Sequence, residues 1–107
     1  MIEEEQLIER SSDRSRCMEL IQFSRDLLRH EGIGMTGAQW LSLVSHLSGM
    51  VHRSVVGKQL EPLDRNLFSE ISDKSLAYAK EVVKKLPDLT EDEIYLLSIH
   101  FESALHS

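Results

Sequence analysis

Two short stretches fix helix starts before any other pattern is read. In "MTGAQW" Thr36 stands three residues before Gln39, and in "LTEDEI" Thr90 stands three residues before Glu93. A threonine at the N-cap accepts from the N3 backbone N–H, and a Gln or Glu at N3 reaches back to the cap's own N–H. Apolar residues flank each pair, Met35 with Trp40 and Leu89 with Ile94, at the spacing of a hydrophobic staple. After Thr36, the residues Trp40, Val44, Leu47 and Val51 recur at steps of three and four, which is one stripe of an α-helix. No segment alternates apolar and polar residues over the length of a strand. A chain with this pattern has to bury helices against helices.

The remaining elements follow from punctuation. Between Glu3 and Glu31 the apolar positions are Leu7, Ile8, Met18, Ile21, Leu27 and Leu28, interrupted by "SSDRS" at Ser11 to Ser15. Residues 1–12 therefore read as an arm or helix extension. Residues 13–107 read as a single helical domain, whose first helix begins near Asp13 and stops at Gly32 and Gly34. The Thr36 helix should run to about Val56, where Gly57 ends it. Pro62 breaks the loop that follows. A short helix is expected from about Leu63 to Ile71, another from Asp73 to about Leu86, and a last one from Thr90 to Leu105. The expected fold is all-α, a five-helix bundle. Trp40, Leu47, Leu76, Val83, Ile94 and Leu97 are the expected core.

Composition narrows the function. At 107 residues and 41% hydrophobic content, the chain can bury one core. Its apolar runs are too short to cross a bilayer, and "MIEEEQLIER" lacks a basic region followed by an apolar one, so a cytoplasmic protein with no membrane partner is expected. The single cysteine, Cys17, cannot form an internal disulfide or a zinc knuckle. Net charge is −6, from 18 acids against 12 bases, and the basic residues of the first long segment are interleaved with acids. That pattern disfavours direct nucleic-acid binding, which needs concentrated positive charge.

The histidines carry the remaining chemistry. Leu43, His46, Met50 and Arg53 share one strip of the Thr36 helix, beside its apolar stripe, with Arg53 about 10 Å from His46 by helical rise. Glu93, Leu96, Leu97, His100 and Ala104 share a side of the last helix. Both histidines are thus border residues. The plainest role for such a residue is to satisfy a hydrogen bond at the edge of the core. A metal site is poorly supported, because His46 and His52 lie six apart on different sides of a helix. A hydrolytic triad lacks a nucleophile elbow. Phosphoryl acceptance suits an imidazole, whose neutral nitrogen is a nucleophile near pH 7. No catalytic residue, cofactor or metal is expected.

In order and spacing, "LSLVSHLSGMVHR", "NLFSEI", "LAYAKEVVKKL" and above all "LTEDEIYLLSIHF" resemble the PTS regulation domain (PRD) of bacterial sugar-utilisation regulators. The likeness extends less distinctly through Ser15 to Glu31. It implies a five-helix bundle that commonly dimerises. It also implies a non-enzymatic role in transcriptional regulation or antitermination of carbohydrate use. The two histidines would be phosphorylation targets of the phosphoenolpyruvate-dependent sugar phosphotransferase system. The donor would be its phosphocarrier protein HPr or an enzyme II component, and another regulator protein is a further candidate partner. The matching positions are His46 and His100, and Arg53 matches the family's arginine. His30, His52 and His106 match nothing. Family members often carry Asp before the first histidine. Ser45 stands here and orients an imidazole less strongly, which favours His100 over His46 as the acceptor. Only one such module is visible, with no effector domain beside it. The competing reading is a structural helical dimer that is not phosphorylated.

Overall fold

A computed structural model describes residues 2–106. It contains α1 (Ile2–Glu9), α2 (Arg14–His30), α3 (Gly37–Val56), α4 (Asp73–Val83) and α5 (Asp92–Leu105), with one 3-10 turn at Arg65–Phe68. No strand occurs among the described residues. The bundle measures 33 × 30 × 20 Å. α3 is its central rod and packs on α1, α2 and α5, while α4 packs on α5 and α2. Leu43, Val44, Leu47, Met50 and Val51 of α3 are fully buried and meet Cys17, Leu20 and Ile21 of α2, Val82 of α4, and Leu97 and Phe101 of α5 in one core.

Within the stretch read as an arm or helix extension, Ile2–Glu9 folds as α1 against α3. Ile8 is buried, and Ser48 Oγ of α3 donates to the Leu7 carbonyl. The break before α2 is made by Ser12 in the left-handed region (φ 71°) and by Asp13, whose carboxylate accepts from Arg16 N–H at 3.0 Å. α3 starts as its sequence requires. Thr36 Oγ1 accepts from Gln39 N–H at 3.1 Å, and Gln39 Oε1 accepts from Thr36 N–H at 2.9 Å. Gly57 ends it in the left-handed conformation.

Three expectations need correction. The helix expected over Leu63 to Ile71 is a single 3-10 turn. Its outward Leu67 is 79% exposed, so no apolar stripe rewards a longer helix. Its start is instead tied to α5, since Asp92 accepts from Leu63 N–H and Arg65 Nε. Second, Thr90 does not cap α5. The helix begins at Asp92 with Glu91 at the cap and no side-chain cap hydrogen bond, and Thr90 Oγ1 is buried without a partner among the described residues. Third, Trp40, Leu76 and Ile94 are only partly buried; Trp40 and Ile94 pack against the margin of the core, and Leu76 is not part of it. Trp40 is covered by the Arg25 guanidinium, 4.8 Å from its ring centroid. Leu47 and Leu97 are fully buried and Val83 nearly so.

Candidate functional site

The seam between α3 and α5 brings together four ionisable side chains, His46, Arg53, Glu93 and His100. His46 of α3 meets His100 of α5, with ring centroids 5.0 Å apart and planes tilted by 55°. Further along, Arg53 of α3 meets Glu93 of α5. Arg53 Nε donates to Glu93 Oε2 at 2.7 Å and Nη2 donates to Oε1 at 2.8 Å. His46 and Arg53 are seven residues apart, and so are Glu93 and His100. Two turns of helix therefore separate the two contacts on both sides, and the helices run antiparallel. The seam has a histidine rung and an ion-pair rung.

Local sequence explains how each side chain arrives. His46 borders the stripe formed by Leu43, Leu47 and Met50, all fully buried, so the ring is drawn toward the core without entering it. His100 lies beside Phe101 and Leu97 in the same way. Arg53 points back toward the N-terminal end of α3, as helical side chains do. A Cβ at position 49 would lie 3.3 Å from Arg53 Nη1, so Gly49 leaves room for the guanidinium to lie along the helix. The charged end of Arg53 is thus about one turn from His46, closer than the straight helical spacing between the two residues suggests.

Burial controls the electrostatics. Desolvation pushes His46 down to about 4, with further lowering from His100 and from the Arg53 cation. Burial also lowers His100. Both imidazoles are neutral at pH 7, and each keeps a nitrogen lone pair. Nε2 of His46 is buried and has no hydrogen-bond partner among the described residues. His100 is the more accessible ring: it borders a shallow open groove with Gln39, Ser42, Ile99 and Ser103. Glu93 is wholly buried, and Arg53 is 19% exposed. Among the described residues no group of three or more His, Cys, Asp or Glu side chains could hold a metal ion.

The other histidines lie elsewhere. His52 Nδ1 is 2.7 Å from Ser12 Oγ, at the α1–α2 break. His106 sits 3.0 Å from the Glu102 carboxylate, and the exposed His30 is 3.8 Å from that of Glu31. Glu102 also accepts from Ser72 and Ser75, which tie the start of α4 to the end of α5. Those bonds, Ser75 first, hold its carboxyl down at about 2. The site residue that sequence reasoning missed is Glu93, assigned there to a helix cap. Its signal was its place two turns before His100, mirroring that of Arg53 two turns after His46.

Residues 22–104 match the sequence profile of the PRD domain. The chain belongs to this family. The matched stretch runs from within α2 to the last turn of α5, so it contains His46, Arg53, Glu93 and His100. The crystal structure of a PRD-containing transcription regulator from Lactobacillus casei ATCC 334 is similar to this PRD with a TM-score of 0.92 and 38% sequence identity, covering 99% of this chain and 95% of that one. The likeness therefore takes in α1 as well as the profile-matched stretch. No curated protein matches the chain significantly in sequence. No helix is long and apolar enough to cross a membrane among the described residues.

Proposed function

We propose that this PRD is a phosphorylation-responsive regulatory module of the phosphoenolpyruvate-dependent sugar phosphotransferase system, with His46 and His100 as acceptors. The observation that carries the reading is the histidine rung: two neutral imidazoles in contact on one helix seam, in a domain of this family. A neutral imidazole nitrogen attacks the phosphorus of a donor phosphohistidine on HPr or an enzyme II component. The donor's N–P bond breaks as the new one forms. The proton lost from the acceptor ring balances the one gained by the donor ring. The phosphoramidate keeps a high transfer potential, so the mark is reversible.

His100 is the first acceptor in this reading, because it lines an open groove while Nε2 of His46 is covered. A dianion added to a partly buried seam alters packing by repulsion and by recruiting a cation, for which Arg53 is the nearest candidate on the His46 strip. The module itself is not an enzyme on this reading. It works as a homodimer, passing the change at the seam to a regulator of carbohydrate-utilisation genes, by control of transcription or antitermination. The relative's description as a transcription regulator supports that direction.

Incubation with phosphoenolpyruvate, enzyme I and HPr, followed by mass spectrometry for an acid-labile phosphate, tests the reading. Labelling should fall strongly in His100→Ala and persist in His52→Ala and His106→Ala. Unchanged labelling of the His46→Ala, His100→Ala double variant would reject these sites. Light scattering should show a dimer, and a monomer at high micromolar concentration would reject that part.

A further inference from the structure

Arg53 is bound along one edge of its guanidinium. Nε and Nη2 are taken by the two oxygens of Glu93, and Nη1 lies against Gly49, three residues from His46. Glu93 has no exposure to water and is ion-paired with Arg53. A carboxylate so placed is tolerated only while a cation and hydrogen bonds satisfy it.

A phosphoryl group on His46 would add about two negative charges and three acceptor oxygens. Only about 4.5 Å of helical rise separates positions 46 and 49. A guanidinium fork binds phosphoryl oxygens in the same two-point manner as it binds a carboxylate. The two anions therefore require the same fork from opposite ends of one seam. Glu93 lies in the first turn of α5, the helix whose start has no side-chain cap and whose Thr90 Oγ1 is buried without a partner among the described residues. Without a cap, that turn is held by side-chain contacts, those of Asp92 with Leu63 N–H and Arg65 and that of Glu93 with Arg53, whereas α3 begins with a complete capping box.

We propose that Glu93 is a positioning residue that holds Arg53 in the unphosphorylated domain, and that a phosphoryl group on His46 draws Arg53 away and releases the first turn of α5. This rests on His46 being a phosphoryl acceptor, as in the reading above. The exchange makes no covalent bond beyond the phosphoramidate. Two N–H···O contacts to Glu93 break, new ones form to phosphoryl oxygens, and no electron or further reactant is consumed. The uncompensated carboxylate is relieved when the start of α5 moves and water reaches it.

The test uses His46→Glu as a fixed anion, placed in the wild-type chain, in Glu93→Gln, and in an Arg53→Met, Glu93→Leu pair. Unfolding constants come from urea denaturation. The penalty of His46→Glu should be about tenfold smaller in Glu93→Gln than in wild type, because Arg53 is no longer contested. It should be largest in the Met/Leu pair, which has no cation to offer. That third background keeps the comparison possible if Glu93→Gln does not fold. Amide exchange at residues 91–97 should quicken on His46→Glu in the wild-type chain and not in Glu93→Gln. Equal penalties in all folded backgrounds overturn the proposal. Enzyme I and HPr labelling of the wild-type chain is run beside it. Labelling at His46 with equal penalties overturns the exchange alone. No labelling at His46 removes the reading beneath it and the exchange with it.

Discussion

His46 and His100 hold their rings 5.0 Å apart across the α3–α5 seam, although nothing local to either helix brings them together. They meet because the apolar stripes beside them share one core. Contact with each other and with the core removes water from both, and that gives the domain a pH response.

The unfolded chain binds a proton at His46 near the ordinary value of 6.5, whereas the folded chain does so only at about 4. As pH falls through that window the unfolded state gains protons first, so stability rises with pH and is lost on acidification. The loss between 6.5 and 4 should approach about 3 kcal/mol, an order-of-magnitude figure from the shift. His100 adds to it in the same direction. Urea denaturation at a series of pH values should show this slope in the wild-type chain and a flatter one in His46→Asn. Equal slopes would contradict the burial argument. A further loss from Glu102 belongs to a lower window, between its ordinary 4.5 and about 2.

Removal of one partner of the ion pair should be far worse than removal of both. Glu93→Ala leaves Arg53 without its carboxylate, and Arg53→Ala leaves a wholly buried anion. The latter should cost about 3–5 kcal/mol, while the Arg53→Met, Glu93→Leu pair should fall near neutrality. Chemical denaturation of the variants measures both. A pair as damaging as Arg53→Ala would show that the contact is needed for more than mutual compensation.

Thr36 and Thr90 should differ although their sequence contexts look alike. Thr36→Ala removes a formed cap and should cost about 1 kcal/mol. Thr90→Val replaces a hydroxyl that is buried without a partner among the described residues, and should be neutral or stabilising. Thermal unfolding distinguishes the two, and a Thr90→Val loss equal to that of Thr36→Ala would show that Thr90 does cap α5.

Leu47 of α3 and Leu97 of α5 are fully buried in the one core. Truncation of either to Ala should cost about 2–5 kcal/mol, the range set by how far the cavity collapses. Trp40, at the margin of the core, should owe part of its effect to Arg25 over its ring. Losses under 1 kcal/mol for both leucines in urea denaturation would place the core elsewhere.

Features that depend only on neighbours a few residues away were legible in the sequence. The capping box at Thr36, the stop at Gly57, the break at Ser11 to Asp13 and the apolar stripe of α3 are local patterns, and each appears where its residues stand. The same locality placed His46 and His100 at borders of apolar faces. Tertiary structure decided everything that required two distant segments to compete for one group. Thr90 and Glu93 had the spacing of a cap, but Glu93 gains more from a buried two-point contact with Arg53 than from an exposed backbone N–H, so the cap did not form. The stretch around Leu63 to Ile71 had helical spacing, but found no core to bury against and was tied to Asp92 instead. A capping bond is settled within one turn of chain. A buried charge is settled by whichever helix brings the opposite charge, and only the packing of α3 on α5 determines that.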